Sequence, residues 1–453
     1  MMRQRLSFQD LLLVGFTLFS MFFGAGNLIF PPFLGAQAGS LTWKAMGGFL
    51  VSAVGLPVLG VAAVALSGGL SRLAGRVGPR FSCFFTLIVY LSVGPCLAIP
   101  RTAGTSFEMT VLPVLMDLGL SLGKQAGGSG ISIYTLAIFA YSLIFFAAAM
   151  FLSLRPEKLS DRLGKILCPT LLVLIAVIFL GCLVWPMGRY GTPSELYSAG
   201  PGVRGFLEGY QTMDTLAALN FGIIIAMNIQ VRGVTAESDV VRETIKAGIV
   251  AGVLLTVIYC ALAHIGAPVG TAAGRDANGA RILTYVAWNL FGKAGRAILG
   301  LIFLIACFNT CVGLISSCSQ YFSTVIPALS YRMWVVFFAS VSLLISCAGL
   351  DSILRISLPV LAAVYPVAIV LILLAFLDHF FEGKTSVYFW AILFTACVSA
   401  VYALEQAGVL VPGLSLAAGW LPGYQAGLGW IVPALAGTAL GLVLPEGVFD
   451  GLL

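Results

Sequence analysis

The 453-residue sequence predicts an all-α polytopic membrane protein with about twelve transmembrane helices, and three observations carry that expectation. Hydrophobic residues make up 60% of the chain, and the mean hydropathy is +1.04. Charged residues are only 9%, where a soluble domain has roughly a quarter. The apolar residues also run in stretches of about twenty, the length that crosses a bilayer as a helix. No stretch reads as a separate soluble domain, so residues 1–453 are expected to form one transmembrane unit in contact with the lipid bilayer. The net charge of +6 is scattered over short loops, which argues against a nucleic-acid partner.

The spans are placed near 10–35, 45–66, 81–112, 132–153, 163–187, 206–231, 244–268, 294–326, 334–350, 356–377, 387–404 and 428–444. Arg3 and Arg5 precede an apolar stretch too long for a cleaved signal peptide, so it is read as a retained first span. The third and eighth spans are long and must tilt or protrude. With the N-terminus inside, the inner loops collect Arg72, Arg76, Arg80, Arg155, Lys158, Arg162 and Lys165 in the first half, then Arg232, Arg242, Lys246, Arg332 and Lys384. The outer side carries fewer cations: Lys44, Lys124, Arg189, Arg204, Arg275, Arg281, Lys293, Arg296 and Arg355. The bias favours both termini in the cytoplasm.

Within the first span, residues 19–34 read Phe-Ser-Met-Phe-Phe-Gly-Ala-Gly-Asn-Leu-Ile-Phe-Pro-Pro-Phe-Leu. Gly24 and Gly26 weaken a helix, and Pro31 and Pro32 deprive the Asn27 and Leu28 carbonyls of their partners. Unpaired backbone at membrane depth must face protein, water or a ligand. Glycines also allow close helix packing, but polar Asn27 is hard to explain by packing alone. The sixth span holds a comparable interruption at Gly209-Tyr210-Gln211-Thr212-Met213-Asp214, where Thr212 or Asp214 suits the N-cap of a new helix. Interruptions in spans one and six predict a five-plus-five inverted repeat, 10–187 and 206–377, followed by two further helices over 387–444. Broken helices at the bilayer midplane are where transporters bind their cargo.

Other chemistries are disfavoured. The ten cysteines include no Cys-x-x-Cys, and Cys307, Cys311 and Cys318 on one helical face read as packing. His264 and His379 are far apart, so no transition-metal site is expected. His-Glu-x-x-His and Gly-x-Ser-x-Gly are both absent, which argues against an enzyme. No cofactor is expected. A channel would need a continuous polar lining, and the polar residues are few and localised.

The string Phe22-Phe23-Gly24-Ala25-Gly26-Asn27-Leu28-Ile29-Phe30-Pro31-Pro32 resembles the first-span signature of the bacterial branched-chain amino acid:cation symporters (BrnQ-type). Gly209 to Asp214 resembles that family's sixth-span motif. Ile99-Pro100-Arg101-Thr102 with Glu108, and Val231-Arg232-Gly233-Val234-Thr235, fit as well. The family is similar to the amino acid–polyamine–organocation superfamily. The resemblance therefore implies a LeuT-like fold in a bacterial cytoplasmic (inner) membrane. It also implies alternating-access import of leucine, isoleucine and valine, usually driven by Na⁺. H⁺ coupling, or another neutral amino acid, is the alternative.

A zwitterionic substrate needs two opposite charges met in a dry site. The free N–H groups of Ala25, Gly26 and Asn27, opened by Gly24, suit its carboxylate. Carbonyls of Phe22 and Phe23, with those of Tyr210, Gln211 and Thr212, suit its ammonium group or a cation. Met213, Leu216 and Ala217 are candidates for the apolar pocket. The resemblance implies a Na⁺ site from the Ser20, Phe23 and Ala306 carbonyls and the side chains of Asn309 and Thr310. The family usually has two adjacent hydroxyl residues at that last pair, so Asn309 departs from it. Asn309 and Thr310 also suit plain interhelical hydrogen bonds. Ionisable residues inside spans are functional candidates. Arg101 and Glu108, seven apart on one face, suit an intramembrane pair or a gate, and Asp214 and Glu208 suit proton coupling.

Overall fold

The computed structural model describes residues 5–118, 133–155, 165–270, 272, 277–409 and 411–444. Arg3, Lys124, Lys158, Arg162 and Arg275, used above for orientation, lie outside the described residues. Every regular element among the described residues is helical, because a backbone in hydrocarbon must satisfy its own polar groups.

Among the described residues, the longer apolar helices group into twelve crossings. The first consists of Phe8–Phe22 and Ala25–Ala38, and the second runs from Thr42–Leu50 through Leu56–Ser67. The third joins Pro79–Leu91 to Ala98–Thr110, and the fourth and fifth are Ile133–Ser153 and Cys168–Val184. The sixth comprises Pro201–Tyr210 and Asp214–Val231, and the seventh is Glu237–Gly266. The eighth lies within Gly279–Val325, which kinks at Gly292 with φ +56°. Tyr331–Ser346, Leu350–Leu377, Thr385–Gln406 and Ile431–Val443 complete the set.

Burial sorts these helices. In the most apolar window of Gly279–Val325, 78% of residues are buried, against 28% in Ile133–Ser153. The sixth-span segment Asp214–Val231 resembles the former at 72%. The eighth and sixth spans are therefore central, and the fourth faces outward over most of its surface.

The first-span break lies where the sequence placed it, at Phe23–Gly24, and Ala25–Ala38 continues through Pro31 and Pro32. Three expectations need correction. The second half of the sixth span is capped by Met213, in the left-handed region at φ +66°, and neither Thr212 nor Asp214 is its N-cap. The third span is broken as well: Gly94 is non-helical (φ −84°, ψ −129°) beside Pro95, whose missing N–H removes a helical bond. A further helical stretch, 279–291, precedes the kink that opens the eighth crossing.

Candidate binding site between the broken helices

The first break is abrupt. The Phe23 N–H closes the first half on the Phe19 carbonyl at 2.8 Å, and Gly24 then turns extended. Asn27 folds back so that its Oδ1 accepts the Gly24 N–H at 3.0 Å. The Ala25, Gly26 and Asn27 N–H groups open the next helix and have no intrahelical partner. Both glycines stand at close approaches: a Cβ on Gly24 would lie 2.8 Å from Thr310 Oγ1. One on Gly26 would lie 3.2 Å from the Thr212 Cα and 3.3 Å from Arg101 Nη2. The unwinding and packing readings of these glycines are thus one arrangement.

At the sixth-span break the chain makes tight turns. Met213 N–H reaches the Tyr210 carbonyl at 3.0 Å, and Thr212 Oγ1 donates to the Gly209 carbonyl at 2.8 Å. Asp214 follows as the first helical residue, where the helix dipole favours its negative charge. Its Oδ2 accepts from Asn27 Nδ2 at 2.5 Å and from Tyr259 Oη at 2.9 Å. Asn27 Nδ2 also donates to Tyr259 Oη. All three side chains are buried. This triad ties the two breaks to the seventh span, and Tyr259 was missed from sequence.

The third-span break brings Arg101 in. Arg101 is 6% exposed, and its Nη1 donates to the Gln211 carbonyl at 3.3 Å. It turns to the sixth-span break. Glu108 instead lines two cavities on the face opposite the N-terminus. Glu208 pairs with Arg204 at 2.9 Å and lines none of the described cavities.

On the other flank of the first break stands the eighth span. Asn309 Nδ2 points to Ser20 Oγ at 3.4 Å. Asn309 Oδ1 and Thr310 Oγ1 are buried without a hydrogen-bond partner, and Ala306 is fully buried about one turn before them. Buried polar atoms are normally paired, so two unpaired oxygens on neighbouring residues stand out, and oxygen is the ligand type that a hard cation takes.

A cavity of about 20 Å³ lies between the breaks, room for a single water. Phe22 and Gly24 to Asn27 line it from the first span, Thr212, Met213, Asp214 and Ala217 from the sixth, and Arg101 and Thr310 from the third and eighth. Phe23, Tyr210 and Gln211 do not line it: Phe23 stacks on Phe19 at 5.1 Å and Tyr210 on Tyr365 at 4.5 Å. A 640 Å³ vestibule opens on the N-terminal face. Tyr90 and Tyr321 line it and stack at 3.9 Å, joining the third span to the eighth.

Two spans broken at one depth, five crossings apart, around a buried charged site define a transporter of the LeuT fold. The whole chain superposes on such a structure, MhsT in complex with L-phenylalanine, with a TM-score of 0.56 at 17% identity, over 97% of this chain and 99% of that one. The family model described as "Branched-chain amino acid transport protein" matches residues 7–447, and the chain belongs to that family. It is 41% identical to the branched-chain amino acid permease BraB of Bacillus subtilis (strain 168), over 98% of this chain and 97% of the permease. It is 36% identical to the branched-chain amino acid permease BrnQ of Escherichia coli (strain K12), with the same coverages of 98% and 97%. The protein is a multi-pass membrane transporter and not an enzyme.

Proposed function

We propose that this protein imports leucine, isoleucine and valine across a bacterial cytoplasmic membrane by Na⁺-coupled alternating access, with both termini in the cytoplasm. Residues 10–187 and 206–377 act as the two repeats and 387–444 as two appended helices. The substrate class, branched-chain amino acids, comes from the names of the permeases it resembles. The observation that carries the ion assignment is the pair of unpartnered buried oxygens, Asn309 Oδ1 and Thr310 Oγ1, beside the unwound first span. A hard cation takes oxygen ligands, and the Ser20, Phe23 and Ala306 carbonyls are the further candidates.

The substrate's carboxylate meets the Ala25, Gly26 and Asn27 N–H groups. Its ammonium faces carbonyls of Phe22 and of the Tyr210–Thr212 turn. Two of those are partly engaged, Tyr210 by Met213 N–H and Gln211 by Arg101, so the Thr212 carbonyl is the better candidate. Gly24 and Gly26 allow the close approach, and Met213 lines the same space. One charge entering at 100 mV contributes about 2.3 kcal/mol, enough for roughly fifty-fold accumulation before any Na⁺ gradient is added. One methylene is worth about 1–3 kcal/mol, so discrimination among the three aliphatic substrates is loose.

A second reading, H⁺ coupling, draws on Asp214: its carboxylate is buried and forms no ion pair among the described residues. Uptake of labelled isoleucine into proteoliposomes, under an inward Na⁺ gradient or an inward H⁺ gradient, separates the two. Accumulation with Na⁺ alone is expected. Accumulation with H⁺ alone transfers coupling to Asp214, with Glu208 and Glu108 as secondary sites, and failure of both gradients removes the substrate assignment.

A further inference from the structure

The molecule has a second, larger space beside the breaks. A cavity of about 200 Å³, an order of magnitude larger than the one between the breaks, lies on the face opposite the N-terminus. Ile29, Phe30 and Phe33 of the first span and Leu350 and Leu354 of the tenth give it an apolar wall. Its polar members are Arg101, Thr105, Glu108 and Asn278, and of these Arg101 also lines the small central cavity, together with Ala25 and Gly26.

Arg101 is the unusual group. A guanidinium carries five N–H donors and one positive charge, yet among the described residues a single neutral carbonyl accepts from it, at 3.3 Å, and no carboxylate forms an ion pair with it. Isolated buried charge is unfavourable unless an opposite charge joins it. The Gly26 backbone lies against the guanidinium with no side chain between them, and the opening residues of the first-span half-helix and Arg101 line the same small cavity. Thr105 adds a buried hydroxyl without a hydrogen-bond partner one helical turn beyond, on the cavity wall. Planar bidentate capture of a carboxylate is what a guanidinium fork does best.

We infer that Arg101 binds the α-carboxylate of the transported amino acid, and that the aliphatic side chain lies in the Ile29–Phe30–Phe33–Leu350–Leu354 cavity. This deepens the branched-chain reading and rests on it. It gives Arg101 a direct role in place of a gate paired with Glu108, and it moves the side-chain pocket from Met213 and Ala217 to the first and tenth spans.

The test uses the full-length protein in detergent, with equilibrium binding of leucine and of leucinamide, which lacks the carboxylate. Arg101→Gln is expected to weaken leucine binding by about thirty-fold or more while leaving the weak binding of leucinamide unchanged. Arg101→Lys, which keeps the charge and loses the fork, falls between. A merely structural role would lower both ligands together, so an unchanged leucine-to-leucinamide ratio in Arg101→Gln overturns the proposal. Leu354→Phe, which leaves the arginine intact, is expected to shift preference from leucine towards valine by about ten-fold, and unchanged preference overturns the pocket. A wild type that binds none of the branched-chain substrates but binds another neutral amino acid removes the substrate assignment. That amino acid and its amide then report on Arg101 in the same way.

Discussion

The two flanks of the first-span break differ in how their polar atoms are satisfied. Towards the sixth and seventh spans, Asn27, Asp214 and Tyr259 bond one another completely enough to hold a buried carboxylate in place. Towards the eighth span, Asn309 Oδ1 and Thr310 Oγ1 are left without partners. A satisfied buried network rigidifies, whereas an unsatisfied one is poised for a ligand. The same glycine-opened segment is thus anchored on one side and available on the other. On the proposed alternating-access cycle, the anchored flank keeps the break in register while the open flank exchanges its occupant.

The comparison breaks most visibly at Asp214. Asp214→Asn removes a charge that accepts two buried hydrogen bonds, and each such bond is worth about 1.5–3 kcal/mol. A loss of about 3 kcal/mol or more in stability is expected, read as a fall in melting temperature, with uptake abolished. A variant that melts like the wild type would show that this flank is not an anchor. Tyr259→Phe deletes one of the two donors and keeps the ring against Phe23 and Phe49. About 2 kcal/mol of stability is expected to go, with uptake reduced and Na⁺ dependence unchanged. Thr310→Val acts on the other flank with the opposite signature. Removing an unpaired oxygen leaves the ion-free protein as stable as before or slightly more so. The rise in melting temperature on adding Na⁺ is expected to shrink, with apparent Na⁺ affinity weakened about ten-fold. Equal stabilisation by Na⁺ in variant and wild type would dissolve the contrast.

Much of this arrangement was legible in the chain. Hydropathy locates the spans, since a bilayer tolerates little else over about twenty residues. Gly24, Gly26 and the polar run at 209–214 mark the two breaks, because small and polar residues at that depth have few other uses. Pro31 and Pro32 did not shift that position: they stand inside the second half-helix, Ala25–Ala38. The third-span break carried a signal in Gly94-Pro95, masked because the surrounding stretch is long and apolar. Tyr259 carried none. An aromatic residue in an apolar span looks like packing, and only the fold brings its hydroxyl to a carboxylate 45 residues away. The direction of Arg101 was equally hidden. Seven-residue spacing places Glu108 on its helical face, but a long side chain can swing to a carbonyl of another span.

Reciprocal flux tests the central claim most directly, because coupling must run both ways. An inward isoleucine gradient is imposed on proteoliposomes, with radioactive sodium outside at equal concentration across the membrane. The account predicts that wild-type protein carries sodium inward with the amino acid and that Thr310→Val carries isoleucine with much less sodium. Isoleucine entry without sodium in the wild type, or full sodium entry in Thr310→Val, would contradict it.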